Sequence, residues 1–235
     1  MTERERDPSI SSETATEGRH RMHDTDPHTR TDLITIAVGA AVLVGCGLLA
    51  RSALTDAEVS IFQAVNELPQ GYHAFIWPFM QYGTFITIPV LALIAFAFRR
   101  FRLGWALLLA GTSVYLLALV VKQAVERGRP GWLLKGVETR ERFGAESLGF
   151  PSGHAAGAAA LTVVVAVHLS KRWAITAIVL ASVVLLGRMY VGAHLPLDLV
   201  GGAALGAIAG GVANLLIPPR SRKAPEGASE HHHEP

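Results

Sequence analysis

The sequence is poor in cysteine, in charge and in aromatic side chains. It has a single cysteine, Cys46, among 235 residues, so neither a disulfide framework within the chain nor a thiolate metal site is expected. Charged residues make up only 17% and aromatic residues 7%, whereas 50% of the residues are hydrophobic. With a mean hydropathy of +0.34, this composition excludes an ordinary soluble domain and indicates a membrane protein.

The two ends of the chain differ in composition from its middle. Residues 1–32 and 218–235 have few large apolar side chains, so burial there cannot offset the entropy of folding, and we predict two disordered tails. The histidines at 231–233 lie in the second tail and have no fixed geometry for binding a metal. Over the whole chain, 21 Lys and Arg residues nearly balance 19 Asp and Glu residues. No general attraction to nucleic acid is therefore expected.

Residues 33–217 are predicted to form an all-α, polytopic membrane domain with six transmembrane helices. Each of the six apolar segments is near the ~20 residues that cross a bilayer. The first is longer than the core of a signal peptide, so we expect it to be retained. The predicted spans are residues 33–50, 74–98, 103–121, 154–170, 173–190 and 196–217.

Short basic segments set the expected orientation of these helices. The basic residues that follow the second, fourth and sixth spans are Arg99, Arg100, Arg102, Lys171, Arg172, Arg220, Arg222 and Lys223. Because cytoplasmic loops carry the excess of Lys and Arg, we expect both termini in the cytoplasm and the other three connections outside. One outward connection, residues 122–150, is nevertheless rich in cations, which we interpret as functional rather than as a sign of inverted topology. They are Lys122, Arg127, Arg129, Lys135, Arg140 and Arg142.

Polar residues gather at the outward ends of the predicted helices. The motif PSGH, residues 151–154, starts the fourth span, where free backbone N–H groups and the helix dipole favour an anion. Lys122, Arg129 and Arg188 add positive charge that suits phosphate oxygens. Two other interpretations stay open, because a lone Ser152 is often only an N-cap and single cations at helix ends often contact lipid headgroups.

A histidine and a carboxylate stand near the start of the last span. Pro196 suits the first turn of a helix, and Asp198 follows two residues later, where a carboxylate is favoured. From there Asp198 can keep one ring nitrogen of His194 protonated and leave the other free as a nucleophile or base. The alternative is a helix-start carboxylate beside an interfacial histidine.

Small residues repeat at four-residue spacing in two of the spans. The last span has glycines at positions 202, 206 and 210, and the fourth begins with Gly153 and Gly157. This spacing lets membrane helices approach closely. We therefore expect the helices that carry His154 and His194 to be in contact.

Three sequence elements resemble those of a known family. They are KQAVERGRP (residues 122–130), PSGH (151–154) and RMYVGAHLPLD (188–198). In this order they are similar to the Lys-six-residues-Arg-Pro, Pro-Ser-Gly-His and Arg-five-residues-His-three-residues-Asp elements of the type-2 phosphatidic acid phosphatase superfamily. The resemblance extends over residues 33–217, and six spans fit the membrane branch of that family. At Gly187 the chain departs from it, because a serine is usual there, and one hydroxyl for phosphate contact is missing.

The resemblance implies a membrane lipid phosphatase that uses neither a metal nor another cofactor. It implies that His194 attacks phosphorus to form a phosphohistidine, that Asp198 orients it, and that His154 protonates the leaving oxygen. The residues implied to hold the phosphoryl oxygens are Lys122, Arg129, Arg188, Ser152 and the backbone of Gly153. The residues themselves agree, because fixed cations stabilise phosphoryl transfer and the sequence has no His-Glu-x-x-His or Asp-rich metal pattern.

The expected substrate is a lipid phosphate or diphosphate of the polyprenyl diphosphate or phosphatidic acid type, taken from the cell membrane by a site that faces outside. Two histidines that act in opposite protonation states predict a bell-shaped pH dependence. Two alternatives stay open: a phosphotransferase that passes the phosphoryl group to another lipid or sugar, and a non-catalytic binder or transporter of anionic lipids. The oligomeric state is open as well, because the glycine spacing suits contacts within one chain or between two.

Overall fold

The computed structural model describes residues 27–141 and 148–219. These residues form nine α-helices and two 3-10 turns, with no strand among them, which confirms the all-α prediction. The helices are α1 (Pro27–Ala50), α2 (Asp56–Asn66), α3 (His73–Met80), α4 (Thr87–Ala97), α5 (Phe101–Val125), α6 (Pro130–Leu133), α7 (Gly153–His168), α8 (Lys171–Tyr190) and α9 (Pro196–Leu216).

Helix α1 begins six residues before the apolar stretch at residue 33. In this added part Asp32, only 4% exposed, accepts a hydrogen bond from the Asn214 side-chain amide at 3.1 Å, near the end of α9. The other residues of the predicted N-terminal tail, residues 220–235 of the C-terminal tail and Arg142 lie outside the described residues.

Within the described residues, four helical segments are long and apolar enough to cross a membrane: α1, α5 together with α6, α8 and α9. A fifth span results if α3 and α4 with their 3-10 turns are counted as one bent pair. Helix α7 is apolar but has only 16 residues. The chain is therefore a multi-pass membrane protein, with four or five spans by this measure where six were predicted.

The segment predicted as one span over residues 74–98 is broken. Gln70–Gly83 and Thr87–Ala97 meet at an angle of 67°. At the break the Thr84 and Thr87 hydroxyls both donate to the Gln81 carbonyl, so side chains satisfy a backbone group that a continuous helix would pair internally. The bend brings Gly83 against α7, where a methyl group on Gly83 would lie 2.5 Å from the His154 carbonyl oxygen.

Helix α2 lies between the first two predicted spans and was not predicted. Thr55 is its N-cap, with Oγ1 accepting the Glu58 N–H at 3.2 Å, and Asp56 and Glu58 suit the positive end of the helix dipole. Phe62, 1% exposed, packs in a cluster with Leu195 at the start of α9. This apolar contact holds Glu58 near the start of α9.

Glycines of α9 allow it to pack closely against α7. A methyl group on Gly202 would lie 2.5 Å from the Ser152 carbonyl oxygen, and one on Gly206 would overlap the backbone of α7. The predicted contact between the fourth and sixth spans is confirmed. Gly157 serves a different contact, because a methyl group there would lie 3.0 Å from the Gly83 carbonyl oxygen.

The two ends of the bundle differ in chemistry. At one end α5 and α8 end while α7 and α9 begin. At the other, about 24 Å away along α7, Arg99, Arg100 and Arg102 border a small cavity together with His168, the last residue of α7. The predicted site residues all belong to the first end.

Candidate active site

A cavity of about 690 Å³ opens at the end of the bundle where α7 and α9 begin. The predicted site residues that line it are Lys122, Arg129, Gly153, His154, Arg188 and His194. Ser152 and Asp198 are completely buried and do not line it. The fold thus brings the three sequence elements to one place.

The start of α7 forms one wall of this cavity. Ser152 is the N-cap, with its hydroxyl oxygen accepting the Ala155 N–H at 3.4 Å, so its O–H remains a donor. Gly153 leaves open space, since a methyl group there would meet only the Tyr115 ring, at 3.6 Å. The first N–H groups of a helix have no intrahelical partner and favour an anion.

Three cations border the cavity, and each is held by a neighbouring segment. The Lys122 ammonium donates to the Leu148 carbonyl at 2.7 Å, and the Arg129 guanidinium donates to a carbonyl of the α8–α9 loop at 3.0 Å. Arg188 forms an ion pair with Glu141 at 2.7 Å. Positive groups fixed in this way stabilise a transferring phosphoryl group without reorganising during the reaction.

His194 lies in the loop between α8 and α9 and is 2% exposed. Its Nδ1 is 3.7 Å from Asp198 Oδ2, so the two groups face each other at slightly more than hydrogen-bond length. Burial lowers the pKa of His194 to about 4, although the Asp198 carboxylate acts in the opposite direction. A neutral ring that keeps its proton on Nδ1, toward Asp198, has a free lone pair on Nε2.

Two charged residues that the sequence analysis did not assign to the site hold Asp198. Arg127 Nη1 donates to Asp198 Oδ1 and to Glu58 Oε1, each at 3.0 Å, and its Nη2 donates to Glu58 Oε2 at 2.6 Å. The position of Arg127 between Lys122 and Arg129 was a signal for its role. No sequence signal pointed to Glu58, because it lies in a helix that was not predicted and that contains no motif.

Comparison with known families identifies this constellation. A model described as the PAP2 superfamily matches residues 101–222 of the chain. The chain belongs to the PAP2 superfamily. As a PAP2 protein it is a phosphatase, an enzyme of the hydrolase class. The matched residues include every predicted site residue but not Glu58.

Two solved structures share the PAP2 fold with this chain. LpxE from Aquifex aeolicus is 24% identical with a TM-score of 0.63, over 69% of this chain and 98% of that one. The first transmembrane PAP2-type phosphatidylglycerolphosphate phosphatase from Bacillus subtilis is also 24% identical, with a TM-score of 0.60, over 76% of this chain and 94% of that one. At this identity the likeness concerns the fold. Among curated proteins, no sequence matches the chain.

Proposed function

We propose that this PAP2 protein hydrolyses a lipid phosphate or diphosphate through a phosphohistidine formed on His194. The observation that carries the proposal is the convergence of two histidines, three cations and a helix N-terminus on one cavity. Phosphoryl transfer needs a positioned nucleophile, a proton donor for the leaving oxygen and stabilisation of the charge on the remaining oxygens. The cavity offers all three.

The first step forms a covalent intermediate. The Nε2 lone pair of His194 attacks phosphorus, the bond from phosphorus to the leaving oxygen breaks, and that oxygen takes a proton from His154. The phosphorylated ring carries a positive charge because Nδ1 keeps its proton, and the Asp198 carboxylate stabilises that charge.

The second step releases phosphate. His154, now neutral, takes a proton from a water molecule whose oxygen attacks phosphorus, and the bond between Nε2 and phosphorus breaks. His194 returns to its neutral form and His154 to its protonated form. In both steps we assign the binding of the phosphoryl oxygens to three cations and the Gly153 N–H at the cavity wall, with the Ser152 hydroxyl as a donor directly behind that wall. The cations are Lys122, Arg129 and Arg188.

A lipid suits this cavity because apolar side chains line it beside the cations. Trp77 and Met80 of α3 and Leu119 of α5 are among them. A charged headgroup can contact the cations while the chain next to it remains in an apolar environment. The proposed substrates are a polyprenyl diphosphate and phosphatidic acid, presented in the outer half of the cell membrane, with both termini in the cytoplasm.

The proposed reaction needs no metal ion. Within residues 27–141 and 148–219, no group of three or more His, Cys, Asp or Glu side chains is placed to hold one. Fixed cations and a helix N-terminus supply the charge stabilisation that Mg²⁺ provides in many phosphoryl transfers.

Phosphate release by the purified protein in detergent tests this proposal. The assay uses a polyprenyl diphosphate and phosphatidic acid, each with EDTA, and compares the wild type with His194→Ala. We expect release that survives EDTA and falls by at least about 1,000-fold in the variant, because the nucleophile is lost.

A matched control is His168→Gln, which changes a histidine at the far end of α7, outside the cavity. It should retain wild-type release. Activity that persists in folded His194→Ala would overturn the phosphohistidine. Labelled phosphate that appears on an added lipid or sugar instead of in solution would replace the hydrolase with a transferase, and no turnover of either lipid would favour a binder.

A further inference from the structure

Asp198 belongs to a buried chain of charges. Arg127 contacts both Asp198 and Glu58, and the three residues are 6%, 0% and 5% exposed, respectively. Removing charged groups from water is unfavourable, and pairing often does no better than an apolar replacement. A gain in stability therefore does not explain why these three charged residues are buried together, whereas a role in the reaction would explain it.

Arg127 and Glu58 lie outside the lining of the cavity, so they do not contact a phosphate bound there. They do hold the start of α9. Glu58 Oε1 accepts the Leu197 N–H at 3.1 Å, and Asp198 Oδ2 accepts the Leu195 N–H at 2.9 Å. With Arg127 on Oδ1, both oxygens of Asp198 have fixed partners.

We propose that Arg127 and Glu58 are positioning residues for the reaction at His194. Arg127 fixes the Asp198 carboxylate opposite Nδ1 of His194, and Glu58 offsets the charge of Arg127 so that Asp198 keeps its attraction for the ring. This inference rests on the proposed function and extends it to a residue outside the family match, since Glu58 precedes residue 101.

The sum of charges gives the physical reason. Two carboxylates and one guanidinium leave a single negative charge beside His194, which suits the positive charge of a phosphohistidine protonated on Nδ1. Without Glu58, Arg127 and Asp198 would cancel each other. Without Arg127, two carboxylates would repel each other and Asp198 Oδ1 would lose its donor.

Other charged groups face His194 from each neighbouring segment. Arg129 comes from the loop after α5, Arg188 from α8 and His154 from α7. The Glu141 carboxylate reaches the same cavity and is paired with Arg188. Arg129 and Arg188 disfavour a positive ring, so the charge on Asp198 has to be preserved for the intermediate to form.

The test is steady-state kinetics of Glu58→Gln and Arg127→Gln over a range of pH. We expect kcat to fall about 10- to 100-fold, as for carboxylates behind metal-bound histidines, while KM stays within about threefold. Loss of a negative charge should move the acidic limb of kcat/KM to lower pH in Glu58→Gln. Loss of a positive charge should move it to higher pH in Arg127→Gln.

The matched control is Asp56→Asn, which removes an exposed carboxylate from the same turn of α2. It should keep the wild-type kcat and acidic limb. The double variant Glu58→Gln with Arg127→Gln should be no slower than Arg127→Gln alone, because Glu58 acts through Arg127. If the two residues had a purely structural role, the variants would contain less active enzyme. The acidic limbs of Glu58→Gln and Arg127→Gln would then not move in opposite directions.

Folded variants with the kcat and acidic limb of the wild type would overturn the inference. If Arg127→Gln does not fold, Glu58→Gln decides alone, since glutamine keeps the shape of Glu58 and its acceptor for the Leu197 N–H. Failure of the proposed function has a different signature: an inactive wild type, or activity that survives in His194→Ala.

Discussion

In the proposed mechanism the buried residue His194 has to be neutral to act as the nucleophile. A free histidine titrates near pH ~6.5, but burial lowers the pKa of His194 to about 4. Protonation removes the Nε2 lone pair, so a lower pKa extends the reactive form to more acidic solutions. The opposite requirement applies to His154, which has to be protonated to act as an acid.

We expect a bell-shaped profile of kcat/KM whose acidic limb lies well below pH ~6.5. The reason is that His194 stays neutral until the pH approaches its pKa of about 4. The alkaline limb reports the loss of the proton from His154, and because burial and the nearby Arg188 lower the pKa of this ring as well, we expect that limb below neutral pH. Kinetics between about pH 3 and 9 measure both limbs, and an acidic limb at 6.5 or above would contradict the assignment of His194.

A substitution of Arg188 tests the proposed phosphate-binding residues. Arg188→Lys keeps the positive charge but replaces a planar fork with a single ammonium group. We expect kcat/KM to fall about 10- to 100-fold, with a control at Arg172→Lys, an exposed position at the other end of α8. Equal activity of the two variants would remove Arg188 from the proposed site.

The sequence predicted the cavity-lining residues better than the residues that hold them. Lys122, His154 and His194 lie in short motifs, and each motif occupies a helix end, so membrane topology alone places them on one face. Glu58 is different, because its partner Arg127 is 69 positions away. No local pattern reports a pairing at that separation.

At the scale of helices, hydropathy located apolar segments but not their breaks or their amphipathic neighbours. The residues Gln81, Gly83 and Thr84 interrupt the second predicted span, yet the apolar residues around them keep its average hydropathy high. Helix α2 was missed for the opposite reason. It has only 11 residues, and Phe62 is its single large apolar side chain that is fully buried. Its hydropathy is therefore too low to stand out.

The glycine contact between α9 and α7 gives a prediction about stability. A methyl group on Gly206 would overlap the α7 backbone, so Gly206→Ala should lower the free energy of unfolding by about 1–3 kcal/mol or more. Gly45→Ala is the matched control, since Gly45 has open space around it. Thermal unfolding in detergent measures both, and equal Tm values would contradict the close packing.

At the scale of the whole molecule, we expect the orientation in the membrane to follow from the two chemically different ends. The arginines at 99, 100 and 102 lie at the end opposite the cavity, and the positive-inside rule predicts that this end lies in the cytoplasm. The cations near the cavity form a second basic region on the proposed outer side. The positive-inside rule does not account for this second region.

Cysteine labelling in intact cells measures this orientation. The native Cys46 is buried and is first replaced with alanine. We expect Lys135→Cys, an exposed position near the cavity, to react with a membrane-impermeant maleimide. Arg100→Cys, exposed at the other end, should react only after the cells are permeabilised. The reverse pattern would place the proposed active site in the cytoplasm.

The cavity is bordered by side chains that also lie on the outer surface of the helices. Trp77 is 49% and Leu119 61% exposed, and both line it. We therefore expect an opening between α3 and α5 to face the acyl chains, so that the proposed lipid substrate arrives by two-dimensional diffusion within the bilayer. Turnover should then follow the mole fraction of substrate in the membrane, so that added inert lipid slows the enzyme by surface dilution even when the total substrate concentration is constant.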